Sequence, residues 1–240
     1  MVGLMNKSMK NKKILIDQPG FIGDIIFVMA IAQKYANEGN VVDFPVFSEH
    51  MKEPSIQKYF PEINFISMDD FPEYNKYCGG INGVEDDKYI TLPLRASATR
   101  RPSQHMKEKY ELLGLDFNSW RNIQIKRDYN AEKKLMELLG IESGMEYNLI
   151  NEFHMYYFEK ISIPVNVNEK NINMSKIDGF TLFDWIGVME NAKSIHTVGT
   201  SLIFLMDAIN SIPNDMHFYP RNDKPYSTYD YLLRKKYIYH

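Results

Sequence analysis

Apolar residues come in short runs parted by turns rich in glycine, proline and polar residues. Lys13-Ile14-Leu15-Ile16 reads as a strand that passes through Asp17-Gln18-Pro19-Gly20 into a helix, whose apolar positions Ile25, Val28, Met29, Ala32 and Ala36 recur at helical spacing. Strands are predicted over 41–47, 63–68 and 88–94, with a short helix over 54–60 and a longer one over 102–113. A short strand over 123–125, a helix over 131–139 and a glycine-bounded stop over 140–144 follow. Beyond it the alternation resumes: strands at 147–151 and 171–175, a helix over 182–192, a strand from Ser194, and a helix with apolar Leu202, Leu205, Met206 and Ile209. Met216-His217-Phe218-Tyr219 gives a last strand, and the Tyr-rich, basic stretch to His240 is expected to form a closing helix.

Strands and helices that keep taking turns mark an α/β fold, with mostly parallel sheets, helices on their faces and right-handed crossovers. The expected organisation is a polar tail at 1–12, a Rossmann-like domain over 13–143 with a hinge at its end, and a second Rossmann-like domain over 144–240. With 240 residues, 44% of them hydrophobic, the chain can bury a substantial core. A net charge of −3 gives no general attraction to nucleic acid or anionic membrane, although charge can still segregate by face. The single cysteine, Cys78, excludes an internal disulfide and a multi-cysteine zinc site. Without a secretory apolar region or a long apolar span, the expectation is a soluble, cytoplasmic protein with no transmembrane segment.

Two strand-turn-helix corners carry the chemistry. In the first, Asp24 stands at a helix N-terminus just past Gly20 and Gly23, where it is either a helix cap or a general base at the carboxyl end of a parallel strand. In the second, Gly199, Thr200 and Ser201 offer hydroxyls and the unpaired N–H groups of a helix start, a plain way to hold a phosphate. No G-x-G-x-x-G follows the first strand and no G-x-x-x-x-G-K-[ST] exists, which argues against dinucleotide and P-loop readings. The histidines are scattered singly and no Asp-x-Asp pair is present, so no dedicated metal site is expected. The acidic pairs Asp69-Asp70 and Asp86-Asp87 read as solvated loop charge.

At these corners the sequence resembles the heptosyltransferase-like family, glycosyltransferase family nine. Gly23-Asp24-Ile25-Ile26-Phe27-Val28-Met29-Ala30-Ile31 is similar to that family's G-D-x-x-x-x-x-P-A-L corner, with Met29-Ala30-Ile31 in place of Pro-Ala-Leu. The run from Phe180 to Ala192 resembles the helix before its donor-binding corner, and Ser194 to Ala208 its strand, D-[ST]-G, helix diphosphate site. The resemblance implies a compact GT-B-like fold of two Rossmann-like domains facing a cleft, and a glycosyltransferase with no cofactor beyond its nucleotide-sugar co-substrate. It implies inverting, metal-independent transfer: Asp24 takes the acceptor proton, and Gly199, Thr200 and Ser201, assisted by His196, meet the charge of the departing diphosphate.

His154 and Lys176 are further donor-binding candidates, read alternatively as a structural histidine and an exposed lysine. Gly23 and the arginines Arg95, Arg100 and Arg101 are acceptor-binding candidates, the arginines read alternatively as a solvated basic loop. Tyr219-Pro220-Arg221 also ends a strand where it can reach the site. The acceptor is expected to be a saccharide or glycolipid, or else a hydroxylated base in DNA. The rival readings are a binding or assembly module on the same fold and a sugar-nucleotide epimerase.

Overall fold

Strand β1 (Lys13–Ile16) lies inside its sheet, and its Ile14, Leu15 and Ile16 are fully buried, as expected for a parallel strand covered on both faces. It is flanked by β2 (Val41–Val46) and β4 (Ile90–Leu92), while β3 (Asn64–Ser67) pairs with the far side of β2. Every pairing in this four-stranded sheet is parallel. The computed structural model describes residues 11–18, 20–52, 55–78, 80, 83–96, 105–154, 159–212, 215–221 and 232–240.

Helix α1 (Ile22–Asn37) carries the chain from β1 to β2. Its residues Ile25 to Met29, Ile31 and Ala32 are all fully buried, because the helix is covered on the side away from the sheet as well. There Phe27 stacks on Trp120 at 4.9 Å, and the Tyr110 hydroxyl donates to the Phe27 carbonyl at 2.7 Å. On the sheet's other side Leu15 joins a cluster of Phe71, Tyr77, Cys78 and Tyr89. The short helices α2 (Tyr74–Tyr77) and α3 (His105–Glu111) are this unit's other α-helices among the described residues.

The predicted strand over 123–125 does not form. The backbone of Gln124 instead pairs with the buried side chain of Gln33: the Gln33 amide donates to the Gln124 carbonyl at 2.7 Å, and the Gln124 N–H donates to Gln33 Oε1 at 2.9 Å. A glutamine from α1 thus satisfies the extended segment that periodicity assigned to a sheet.

The second sheet has the order β11-β10-β9-β5-β8, again all parallel. Its strands are β5 (Asn148–Asn151), β8 (Asn171–Asn173), β9 (Ser194–Val198), β10 (Met216–Tyr219) and β11 (Ile238–Tyr239). A separate antiparallel pair, β6 (Phe153–His154) and β7 (Glu159–Lys160), leads away from β5. The helices are α4 (Tyr129–Leu138), α5 (Ile186–Asn191) and α6 (Ser201–Ala208). Over its described residues the closing segment is not helical. The buried Asp207 carboxylate accepts the N–H groups of Arg234 and Lys235 at 2.9 and 2.8 Å, which guides the chain into β11 beside β10.

These sheets belong to two compact units, Met1–Lys126 and Arg127–His240. The division precedes α4, whereas the sequence placed it after that helix, at 143/144. Arg127 explains the membership of α4: it is held by a fork on each side, to Glu132 of α4 at 2.8 and 2.5 Å and to Glu190 of α5 at 2.8 and 2.6 Å. The helices approach closely beside it, since a methyl group at Gly187 would stand 2.7 Å from Glu132 Oε2. Among the described residues no helix is long and apolar enough to cross a membrane.

Replacing Arg127 by leucine leaves two largely buried carboxylates facing each other. We expect a loss of about 2 kcal/mol, discounted for the partial exposure of the guanidinium. Hydrogen exchange of the α4 and α5 amides measures it, and Arg127→Lys recovers less than half, because one ammonium cannot serve two forks. Unaltered exchange in Arg127→Leu would show that the forks hold nothing together.

Candidate functional site

In the first sheet the chain turns one way from β1 to β2 and later returns to place β4 on β1's other side, so the strand order reverses between β1 and β4. Open parallel sheets bind ligands at the carboxyl ends of strands at such a point. Here the two strand ends are stitched together: the Asp17 N–H donates to the Leu92 carbonyl at 2.9 Å, and the Arg95 N–H to the Asp17 carbonyl at 2.8 Å.

Polar and charged side chains converge on this end. Asp17 is fully buried, with Arg95 Nε 3.5 Å from its Oδ1. Lys109 of α3 is only 2% exposed and donates from Nζ to the Leu94 carbonyl at 2.8 Å and to Gln18 Oε1. Burial pushes its ammonium down to about 8, against the pull of the Asp24 and Asp17 carboxylates. Burial also raises the Cys78 thiol, and the neighbouring Asp17 carboxylate adds to the effect.

Asp24 occupies the first turn of α1, but Phe21 is the cap residue and no side chain caps the helix. Asp24 therefore does not cap the helix. The carboxylate is half-buried and lies against Gly20: a methyl group at position 20 would come within 2.7 Å of both Asp24 Cβ and Oδ2. Glycine is therefore required at position 20 for close approach, and Gly23 follows within the same turn of helix.

The Gly20 carbonyl also faces His50, which comes from a short 3-10 turn (Ser48–Met51) just after β2. Burial lowers the His50 imidazole below its usual range, and its Nε2, 4.0 Å from Glu49 Oε1, is buried without a hydrogen-bond partner among the described residues. Half-buried Phe21 and Phe47 stand beside it, with ring centroids 5.6 Å apart, and the His50 ring lies 6.4 Å from Phe47. The corner thus combines a carboxylate, an imidazole and two aromatic faces.

Of the predicted arginines, Arg95 engages Asp17 and the Tyr74 hydroxyl, while Arg100 and Arg101 lie outside the described residues. His50, Lys109 and Asp17 were missed by the sequence reading. Each acquires its place only through strand neighbours or a helix dozens of residues away. The one local signal was position: Asp17 and His50 both follow closely on predicted strands.

The second sheet repeats the arrangement, with its order reversing between β5 and β9. Asn151, at the end of β5, reaches across to donate from Nδ2 to Thr197 Oγ1 at 2.9 Å and to Thr200 Oγ1 at 3.2 Å. Thr200 caps α6 by accepting the Leu202 N–H at 3.3 Å, and its carbonyl accepts that of Ile203 at 3.2 Å. The buried Arg221 donates to the Gly199 carbonyl at 3.3 Å. Gly199, Thr200 and Ser201 are therefore brought together at a helix start with an arginine alongside, suited to an anion.

The remaining candidates belong to the same unit. His196 is in the middle of β9, stacked on His217 of β10 at 4.1 Å and hydrogen-bonded to Ser194 Oγ at 3.0 Å and the Tyr219 hydroxyl at 3.4 Å. His154 ends β6 opposite Glu159, and exposed Lys176 follows β8. Among the described residues no group of three or more His, Cys, Asp or Glu side chains is arranged to hold a metal ion.

No protein-family model matches the sequence, and no curated protein matches it. The likeness is in the fold. A glycosyl transferase family 9 structure from Veillonella parvula DSM 2008 superposes with a TM-score of 0.57 at 10% identity, over 98% of this chain and 87% of that one. The iron-containing dodecameric glycosyltransferase TibC from enterotoxigenic E. coli H10407 gives a TM-score of 0.50 at 11% identity, over 88% of this chain and 58% of that one. Two parallel-sheet units in this order have the architecture of glycosyltransferase family 9 structures.

The histidine stack has a pH signature. His196 is lowered to about 4, first by burial and then by the neighbouring His217. A histidine depressed in the folded state binds its proton more weakly than the unfolded chain does. Its contribution to stability is therefore whole above about pH 6.5 and drains away as pH falls towards 4. The His196 ring protons should titrate near pH 4 by NMR, and His196→Asn should flatten the dependence of melting temperature on pH between 6.5 and 4. A midpoint near 6.5 contradicts this packing.

At the first corner, Gly20→Ala forces the Asp24 carboxylate aside at a cost of about 1–3 kcal/mol. Chemical denaturation measures that cost, and a variant as stable as the parent contradicts the close approach.

Proposed function

We propose that this chain is a glycosyltransferase that moves a sugar from a nucleotide-sugar donor to an acceptor hydroxyl, with inversion and with Asp24 as general base. The observation that carries the reading is the placement of Asp24: an acid in the first turn of a helix that does not cap it, at the strand-order reversal of a glycosyltransferase-like fold. The acceptor hydroxyl gives its proton to Asp24 as its oxygen bonds the anomeric carbon. The bond from that carbon to the donor phosphate breaks on the opposite face, and the diphosphate departs with the electron pair. The N–H groups at the start of α6 and the guanidinium of Arg221 meet the charge of the leaving group.

Asn151 is the residue we assign to holding the Thr200 hydroxyl in place for the donor. For the acceptor we favour a saccharide. The rings of Phe21 and Phe47 suit the apolar face of a pyranose, and Asp24 and His50 suit its hydroxyl edge.

Thermal melting against a panel of nucleoside diphosphates and their sugars tests the donor half. At least one should raise the melting temperature, by an amount equivalent to about 2.7 kcal/mol at a hundredfold excess over its Kd. Arg221→Ala should lose that shift. Asp24→Asn should keep it while transfer falls about 10²–10⁴-fold. The reading is abandoned if no nucleotide stabilises the protein.

A further inference from the structure

A buried polar atom without a partner costs stability, and so marks a place where a partner is to be supplied. Nε2 of His50 is such an atom, meeting neither solvent nor a hydrogen-bond partner among the described residues. Glu49, in the same turn, is exposed and holds its Oε1 4.0 Å away, beyond hydrogen-bond reach. Because Nε2 has no partner, the ring's hydrogen bond to the Gly20 carbonyl is made by Nδ1–H. Burial favours the neutral ring, so Nε2 is left as a bare lone pair. Gly20 brings this nitrogen close to Asp24, since a methyl group at position 20 would stand 2.7 Å from Asp24 Oδ2. Phe21 and Phe47, with ring centroids 5.6 Å apart, flank the same place. The cations Arg95 and Lys109 at this sheet end are engaged, Arg95 with Asp17 and the Tyr74 hydroxyl, Lys109 with Gln18 and the Leu94 carbonyl. What His50 and Asp24 offer a ligand is therefore two hydrogen-bond acceptors beside aromatic faces.

We propose that His50 is a binding residue for a neutral saccharide, its Nε2 accepting one hydroxyl of the sugar while Asp24 takes the hydroxyl beside it. The assignment rests on the reading of this corner as the acceptor site, and it narrows the substrate class. Glu49 swings aside to admit the sugar, a rotamer change that an exposed side chain makes readily. An acidic group in the same place brings negative charge against Asp24 and Glu49 and has no proton to offer the lone pair. A neutral sugar supplies hydroxyl donors to both acceptors and an apolar face to the two rings.

NMR of the full chain, isotope-labelled at histidine, tests this with no nucleotide present. At neutral pH the free protein should show His50 with Nδ1 protonated and Nε2 bare, and a proton on Nε2 overturns the proposal. Methyl glucoside, methyl galactoside and methyl mannoside are then titrated into the millimolar range. At least one should move the His50 Nε2 resonance to saturation, whereas inorganic phosphate and methyl glucuronide should not. His50→Leu should raise the Kd of that glycoside about 3–10-fold, and His50→Gln, whose amide oxygen takes the place of Nε2, should restore most of it. A histidine with only a packing role gives no such split between the two variants. If His50→Leu does not fold, the resonances of the parent protein decide. Silence of Nε2 towards every glycoside, or an equal response to phosphate or the glucuronide, overturns the proposal. Since no sample contains a nucleotide, that failure is distinct from failure of the glycosyl-transfer reading, which the nucleotide melting panel decides.

Discussion

A parallel strand buried on both faces must give up its polar backbone and its next side chain at one place, where its sheet changes direction. Everything of chemical interest in this protein follows from that constraint. Past Ile16 the first unpaired groups of β1 are taken by Leu92 and Arg95, and the next side chain, Asp17, is sealed inside. The chain can then begin α1 only through a glycine that allows Asp24 to lie across the turn. In the second sheet the same demand falls on Asn151, whose amide spans from β5 to the residues that end β9 and start α6.

Charge is handled locally. The overall balance of −3 says nothing of the first corner, where the buried Asp17 carboxylate lies 3.5 Å from Arg95 Nε and the buried Lys109 ammonium donates to Gln18 and to the Leu94 carbonyl. In such surroundings each charge is felt strongly by its neighbours, and solvent screening that would erase the effect on the surface is weak. Arg127, between two carboxylates, shows the same economy in a purely structural setting.

What could be read from the sequence was whatever depends on neighbours in the chain. The run from Lys13 to Asp24 announces a strand, a turn and a helix, and Gly199-Thr200-Ser201 announces another corner, because spacing and turn chemistry are local. The parallel alternation followed from the same signals. What stayed hidden depends on long-range pairing. Gln33 capturing the backbone at Gln124, Asp207 turning the closing segment into β11 and Arg127 claiming α4 for the second unit all join residues that no periodicity relates. His50 and Lys109 were invisible for that reason. The place of His196 in the middle of β9, rather than at its end, likewise depends on where the strand stops.

The position of Arg127 also bears on synthesis. The last stitch of the first unit is the bond from the Lys126 N–H to the Tyr59 carbonyl, and the next residue already belongs to the second unit's helices. Among the described residues no sheet or helix spans that point, so each sheet draws its strands from one side of it and neither has to wait for the other half of the chain to supply a strand.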